Sequence, residues 1–261
     1  MRTFPPERIV CLTEETVETL YLLNQQDRIV GVSGFCVRPP GVRREKPRVS
    51  AFTSADVPKI LALEPDLVLT FSDLQADIVA QLLREGLTVM SYNHRDISGI
   101  LAMIRHLGAT VNCAVQADEL ACSYEKRLAQ IKRRQKSERP PVVYFEEWDD
   151  PMISGIGWVS ELVEIAGGIE AFPACAKQSK AKDRIVSSEQ VLDAQPDIII
   201  ASWCGKKVRP EKIASRSGWS DIPAVKNNRI FEIKSPLILQ PGPAALTDGL
   251  DAIIEALLAS A

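Results

Sequence analysis

Four acids stand within five positions at Glu146, Glu147, Asp149 and Asp150, a density that could serve acid–base catalysis or bind a hard cation. Neither use has the partners it needs. The sequence holds no G-x-S-x-G, no H-E-x-x-H, no P-loop and no G-x-G-x-x-G following a strand, so no nucleophile with a partnered base is in view and catalysis is not expected. Cys36, Cys204 and His94 are of types that hold zinc or copper(I). Yet the six cysteines, at 11, 36, 113, 122, 175 and 204, form no C-x-x-C pair. Reduced thiols that pack as small hydrophobes are the plainer reading, and no metal site is expected. What remains is apolar recognition by Phe35, Phe71, Trp148, Trp158 and Trp203, in a chain only 6% aromatic. Broad rings suit a large flat ligand, although the same rings could simply cap the cores.

These residues gain meaning from where the periodicity puts them. Apolar runs predict strands at Arg8 to Leu12, Arg28 to Val32, Asp66 to Phe71 and Thr88 to Tyr92, then at Val142 to Phe145, Ile198 to Ser202 and Arg229 to Ile233. Helical patterns alternate with them: Glu14 to Leu23, Val57 to Leu63, Ile78 to Arg84 and Ile97 to Leu107, then Ser160 to Ala166, Ser188 to Ala194, Pro210 to Ala214 and Ala245 to Leu258. Alternation of this kind predicts mostly parallel sheets flanked by helices, whose ligands sit beyond the carboxyl ends of the strands. Glu15, Phe35, Cys36, Phe71, His94, Glu147, Trp148, Trp203 and Cys204 all follow strands in this scheme.

A helix–Pro-Asp–strand unit occurs twice, as VPKILALEPDLVLT from Val57 and SEQVLDAQPDIIIA from Ser188, about 130 residues apart. The duplication predicts two similar lobes with a cleft between them. Residues 111–138 lack proline and glycine and lead into the basic run KRRQKSERPP at 132–141, which fits one long linking helix stopped by the double proline. The expected division is 1–110, 111–138 and 139–261, and the basic run is expected to be a solvated helix end.

At this point the chain resembles the helix-linked substrate-binding proteins of metal-chelate uptake systems, for cobalamin and ferric siderophores, and their cobalamin-binding branch in particular. The resemblance runs end to end through RIVCLTEETVETL, VGVSGFCVRPP, ILALEPDLVLT, EWDDPMISGIGWVSELVEIAGG, SWCG, GWSDIPAVKNNRIFEI and PGPAALTDGLDAI. It implies a class III periplasmic-binding-protein-like fold, no catalysis and no required cofactor. The implied ligand is a corrinoid, metal chelate or similar small molecule, oriented in the cleft by Glu15 and Glu147 with Phe52 as a further cleft aromatic. It also implies an exposed acid at the start of each repeated helix of the binding protein, through which it docks on a transporter's permease. Glu189 fills that place in the second copy, but Pro58 stands in the first, and the usual RPGPR reads Gln240 to Ala244 as QPGPA. These departures put docking on an ABC permease in doubt and loosen the tie to cobalamin itself.

With a net charge of −3, a pI near 5.6 and 46% hydrophobic residues, a nucleic-acid partner is not expected. No apolar run is long enough for membrane insertion, and MRTFPPERIVCL has no secretory pattern. The location expected is therefore cytoplasmic, or periplasmic if a leader was removed. The competing readings are an importer's periplasmic component and a cytosolic metal-handling protein or enzyme on this fold.

Overall fold

The computed structural model describes residues 4–135 and 138–259, and their contacts form two compact units. The first contains the chain up to His94 together with Ser98–Ser123; the second contains Arg95–Ile97 and the chain from Tyr124 onward. The expected linking helix is present as Ala114–Arg134, with its boundary between units after Ser123. Positions 136 and 137 of that expected helix, like 1–3 and 260–261 of the expected lobes, lie outside the described residues.

The first unit is built on a parallel sheet of β1 (Ile9–Cys11), β2 (Ile29–Ser33), β3 (Arg48–Ser50), β4 (Leu67–Phe71) and β5 (Val89–Tyr92), in the order β3-β2-β1-β4-β5. The middle strands read as unbroken apolar runs because both faces are covered: every residue of β1 and β4 is buried. Val10, Leu12, Val49, Ile60, Val68 and Leu82 form one core cluster of this unit.

The second unit centres on β6 (Val142–Asp149), paired with β7 (Met152–Ser154), β8 (Ile169–Glu170) and β9 (Ile198–Ala201), with β10 (Ile230–Glu232) beyond β9. Pairing is parallel except for the β6–β7 hairpin. Tyr144, Ile199, Trp203 and Trp219 anchor a core cluster of this unit. Both units are thus mostly parallel α/β sheets flanked by helices, as expected. β3, β7 and β8 were not anticipated, being only two or three residues long. β6 also runs four residues past its expected end, through Glu146, Glu147 and Asp149. Acids rarely continue a buried strand, and here each is matched to a buried or nearby cation.

The repeat has a physical cause. In each copy the helix, Val57–Ala62 or Ser188–Ala194, precedes a residue with positive φ, Glu64 at 46° and Gln195 at 44°, and then Pro-Asp. Asp66 accepts the amides of Glu7 and Arg8 at 2.8 and 3.1 Å, and Asp197 accepts that of Val142 at 2.8 Å. The aspartate therefore pins the start of the neighbouring strand within its own unit. Helix starts are satisfied differently: Asp56 caps the amide of Lys59 ahead of Pro58, whereas Ser187 and Gln190 form a reciprocal capping box.

Candidate functional site

In the first unit, residues that follow the strands fall into buried and accessible sets. Phe35, after β2, is 49% exposed, and Phe52 is half-buried. Phe71 is buried at the end of β4, with His94 meeting it edge-on at 5.2 Å between ring centroids. Tyr92 meets both His94 and His106 edge-on at 6.2 and 6.0 Å, which gives His106 a packing role.

The Glu14–Leu22 helix begins directly beyond β1 with two buried acids. Glu15 was expected to meet a ligand as a carboxylate, but it is 1% exposed. Burial raises its carboxyl to about 8, opposed by the Thr13 hydroxyl, which donates to Oε1 at 2.5 Å. Burial also raises Glu14 to about 7. Glu15 is therefore largely protonated at neutral pH and can donate a hydrogen bond; its Oε2 is buried without a hydrogen-bond partner. Cys36 is likewise buried, and burial pushes its thiol far above the ordinary value, so it is no thiolate ligand.

In the second unit the acid cluster is a set of ion pairs. Glu147 was expected to be a free acceptor, yet Arg184 donates to its two oxygens at 2.6 and 2.9 Å. Glu146 is fully buried. It accepts from Arg216 at 2.5 and 3.0 Å, from Tyr144 at 3.1 Å and from the Trp203 indole at 3.2 Å. Asp149 receives Lys206 and Lys212 at 2.6 and 3.0 Å, and despite burial, which works the other way, they hold it below its ordinary value.

Those pairs set the aromatics. Trp203 is 2% exposed and belongs to the core, which corrects its expected place in the ligand surface. Trp158 is also buried, and its indole donates to the Ile238 carbonyl at 2.9 Å. Trp148 is only part-buried; its indole donates to the Asp150 carbonyl at 3.0 Å. Lys206 stands 5.3 Å from the Trp148 ring centroid and 4.9 Å from that of Trp203, a cation–π arrangement on both rings. Cys204 is exposed. Among the described residues, no three His, Cys, Asp or Glu side chains are grouped to hold a metal ion.

Sequence reasoning missed Lys206 and Arg184. Lys206 could have been noticed as the cation two places after Cys204, but Arg184 carries no local signal, since its partner lies 37 residues away.

Each unit by itself offers apolar and hydrogen-bonding surface at the carboxyl ends of its strands, β2 and β4 in the first and β6 and β9 in the second. Comparisons with known proteins agree with a binding role. The profile of a periplasmic binding protein family matches residues 9–237. The chain is similar to an uncharacterized ABC transporter substrate-binding lipoprotein, YvrC of Bacillus subtilis, at 28% identity over 97% of this chain and 80% of that protein. It is also similar to two solved structures. The periplasmic vitamin B12 binding protein BtuF of Vibrio cholerae aligns with a TM-score of 0.76 at 25% identity, covering 98% of both chains. The periplasmic heme-binding protein RhuT of Roseiflexus aligns with a TM-score of 0.80 at 25% identity, covering 96% of this chain and 99% of the other. These relatives are binding proteins rather than enzymes.

Proposed function

Because the chain belongs to the periplasmic binding protein family, we propose that it is a substrate-binding protein for a corrinoid or a comparable flat metal chelate. The observation that carries this reading is Phe35, a large aromatic half exposed at the carboxyl end of β2, where a loop ring has no core to fill. In the second unit, Trp148 under Lys206 offers a ring face with a cation beside it, suited to a ligand with an apolar plane and acidic or carbonyl edges. Similarity to a vitamin B12 binder and a heme binder supports a planar chelate over a small hydrophilic solute. No resident cofactor is needed for such a task.

Spectroscopic titration with cyanocobalamin, cobinamide and haemin tests the reading. Saturable binding of one of them, weakened by Phe35→Ala, supports it; no binding of any sinks it.

Permease docking is proposed through Glu189, which is exposed on the first turn of its helix. The relatives carry periplasmic and lipoprotein descriptions, which weighs against the cytoplasmic expectation. No described helix is long and apolar enough to cross a membrane. Fractionation of the native cell, with the protein followed by antibody, decides the location.

A further inference from the structure

The chain beyond β4 turns in a way that few residue types allow. Ser72, directly after Phe71, has φ 73° and ψ 159°, a backbone region essentially confined to glycine. Such a conformation persists only where the surrounding bonds over-determine it. Here they do. The Ser72 amide donates to the Tyr92 carbonyl at 2.7 Å, its carbonyl accepts from the Gln75 amide at 3.1 Å, and its hydroxyl oxygen accepts from the Leu74 amide at 3.1 Å.

Gln75 locks the same turn through its side chain. It is fully buried, its Oε1 accepts the Phe71 amide at 3.0 Å, and its Nε2 donates to the carbonyls of Phe52 at 2.8 Å and Leu12 at 3.4 Å. Together Ser72 and Gln75 join the ends of β1, β4 and β5 and the segment after β3. Between these two buried polar residues stands Leu74, 63% exposed at the carboxyl end of the sheet. A lone exposed leucine needs no explanation. One held out by a strained residue and a buried hydrogen-bond hub does, because strain kept against a simple glycine replacement marks a constraint other than stability.

We propose that Leu74 is a ligand-contacting residue of the first unit, and that Ser72 is a positioning residue that fixes it before the ligand arrives. A turn set in advance presents the leucine without the ordering cost that a mobile loop carries on binding. Its branched apolar tip suits the face of a flat ligand rather than a polar edge. This role rests on the chelate binding proposed above.

The test titrates haemin, cyanocobalamin and cobinamide into the full chain and its variants, with unfolding midpoints measured alongside. For whichever of these binds the unaltered protein, Leu74→Ser should weaken binding about fivefold. Leu74→Met, which keeps an apolar tip, should weaken it less than about twofold. The exposed position predicts that neither change moves the midpoint by more than about 2 °C. Ser72→Gly releases the turn and should weaken binding about threefold. In the Leu74→Ser background it should have almost no further effect, because it acts through Leu74. Gln75 is left intact, since its loss would strand buried backbone groups and threaten the fold. If none of the three ligands binds the unaltered protein, the chelate reading and this role fall together. If one binds and Leu74→Ser binds it equally well, the role of Leu74 alone is overturned. A Ser72→Gly loss of the same size with and without Leu74 overturns the positioning role.

Discussion

Arg184 holds Glu147 in a two-pronged ion pair, at 2.6 and 2.9 Å, while its Nη1 also donates to the Ser154 carbonyl. The guanidinium is almost completely buried and the carboxylate mostly so, at 2% and 20% side-chain exposure. This pair ties β6 to the end of β7 and to the segment before the Ser188–Ala194 helix, so it positions the end of β6 that carries Trp148 rather than meeting a ligand.

Removing the acid strands a buried cation, which typically costs about 3–5 kcal/mol. Glu147→Ala should therefore lower stability by roughly 3 kcal/mol, read from urea unfolding. Arg184→Met in the Glu147→Ala background should recover part of that loss. A Glu147→Ala protein of unchanged stability would mean that the pair is unimportant in solution.

Stability should fall as pH rises through neutrality. Glu15 titrates near 8, and Glu14 and Glu170 near 7, against 4.5 for an ordinary glutamate. Between those limits the folded protein holds protons that the unfolded chain has released. Their favourable contribution is complete below about pH 4.5 and is lost as pH climbs through 7 and 8. The Tm is therefore expected to be lower at pH 8.5 than at pH 5.5. Glu15→Gln should flatten the upper part of that decline; a Tm that instead rises over this range would contradict the assignment.

The reach of the sequence follows from which interactions are local. Periodicity located β1, β2, β4, β5, β6, β9 and β10 and the stop after the Ala114–Arg134 helix, since each depends on neighbours a few positions apart. The turn holding Phe35 was legible for the same reason. Burial of Glu15 and Trp203 was not, because it depends on contacts such as the Trp203 indole to Glu146, 57 residues away. Charge was the misleading cue: the strand was expected to end at Phe145, before Glu146, Glu147 and Asp149, and only their distant cations let it continue.

The two aromatic classes should separate by experiment. Phe35→Ala removes a half-exposed ring and should change stability by less than about 0.5 kcal/mol while weakening chelate binding about tenfold. Trp203→Ala empties a core position and breaks a hydrogen bond to buried Glu146, so a loss of about 3–5 kcal/mol is expected. Differential scanning fluorimetry beside ligand titration reads both quantities. Equal destabilisation by the two changes would remove Phe35 from the binding surface.

Glu189 and Ser187 share one helix start yet should behave as opposites. Ser187 accepts the Gln190 amide at 3.3 Å and donates its own amide to the Gln190 side chain at 2.8 Å. Ser187→Ala should therefore cost about 1 kcal/mol. Glu189 is exposed, and the backbone amide at the helix start with the Ser187 hydroxyl holds its carboxyl below the ordinary value, so it stays charged well into acid. A charge displayed this way is free to meet an arginine on a permease, whereas Pro58 at the corresponding first-copy position offers none. Glu189→Gln should leave the unfolding midpoint unchanged and reduce crosslinking to the cognate permease in reconstituted liposomes. Pro58→Glu should raise that crosslinking by restoring the second contact. If Glu189→Gln crosslinks as well as the unaltered protein, the acid is only a helix-start residue and docking rests on another surface.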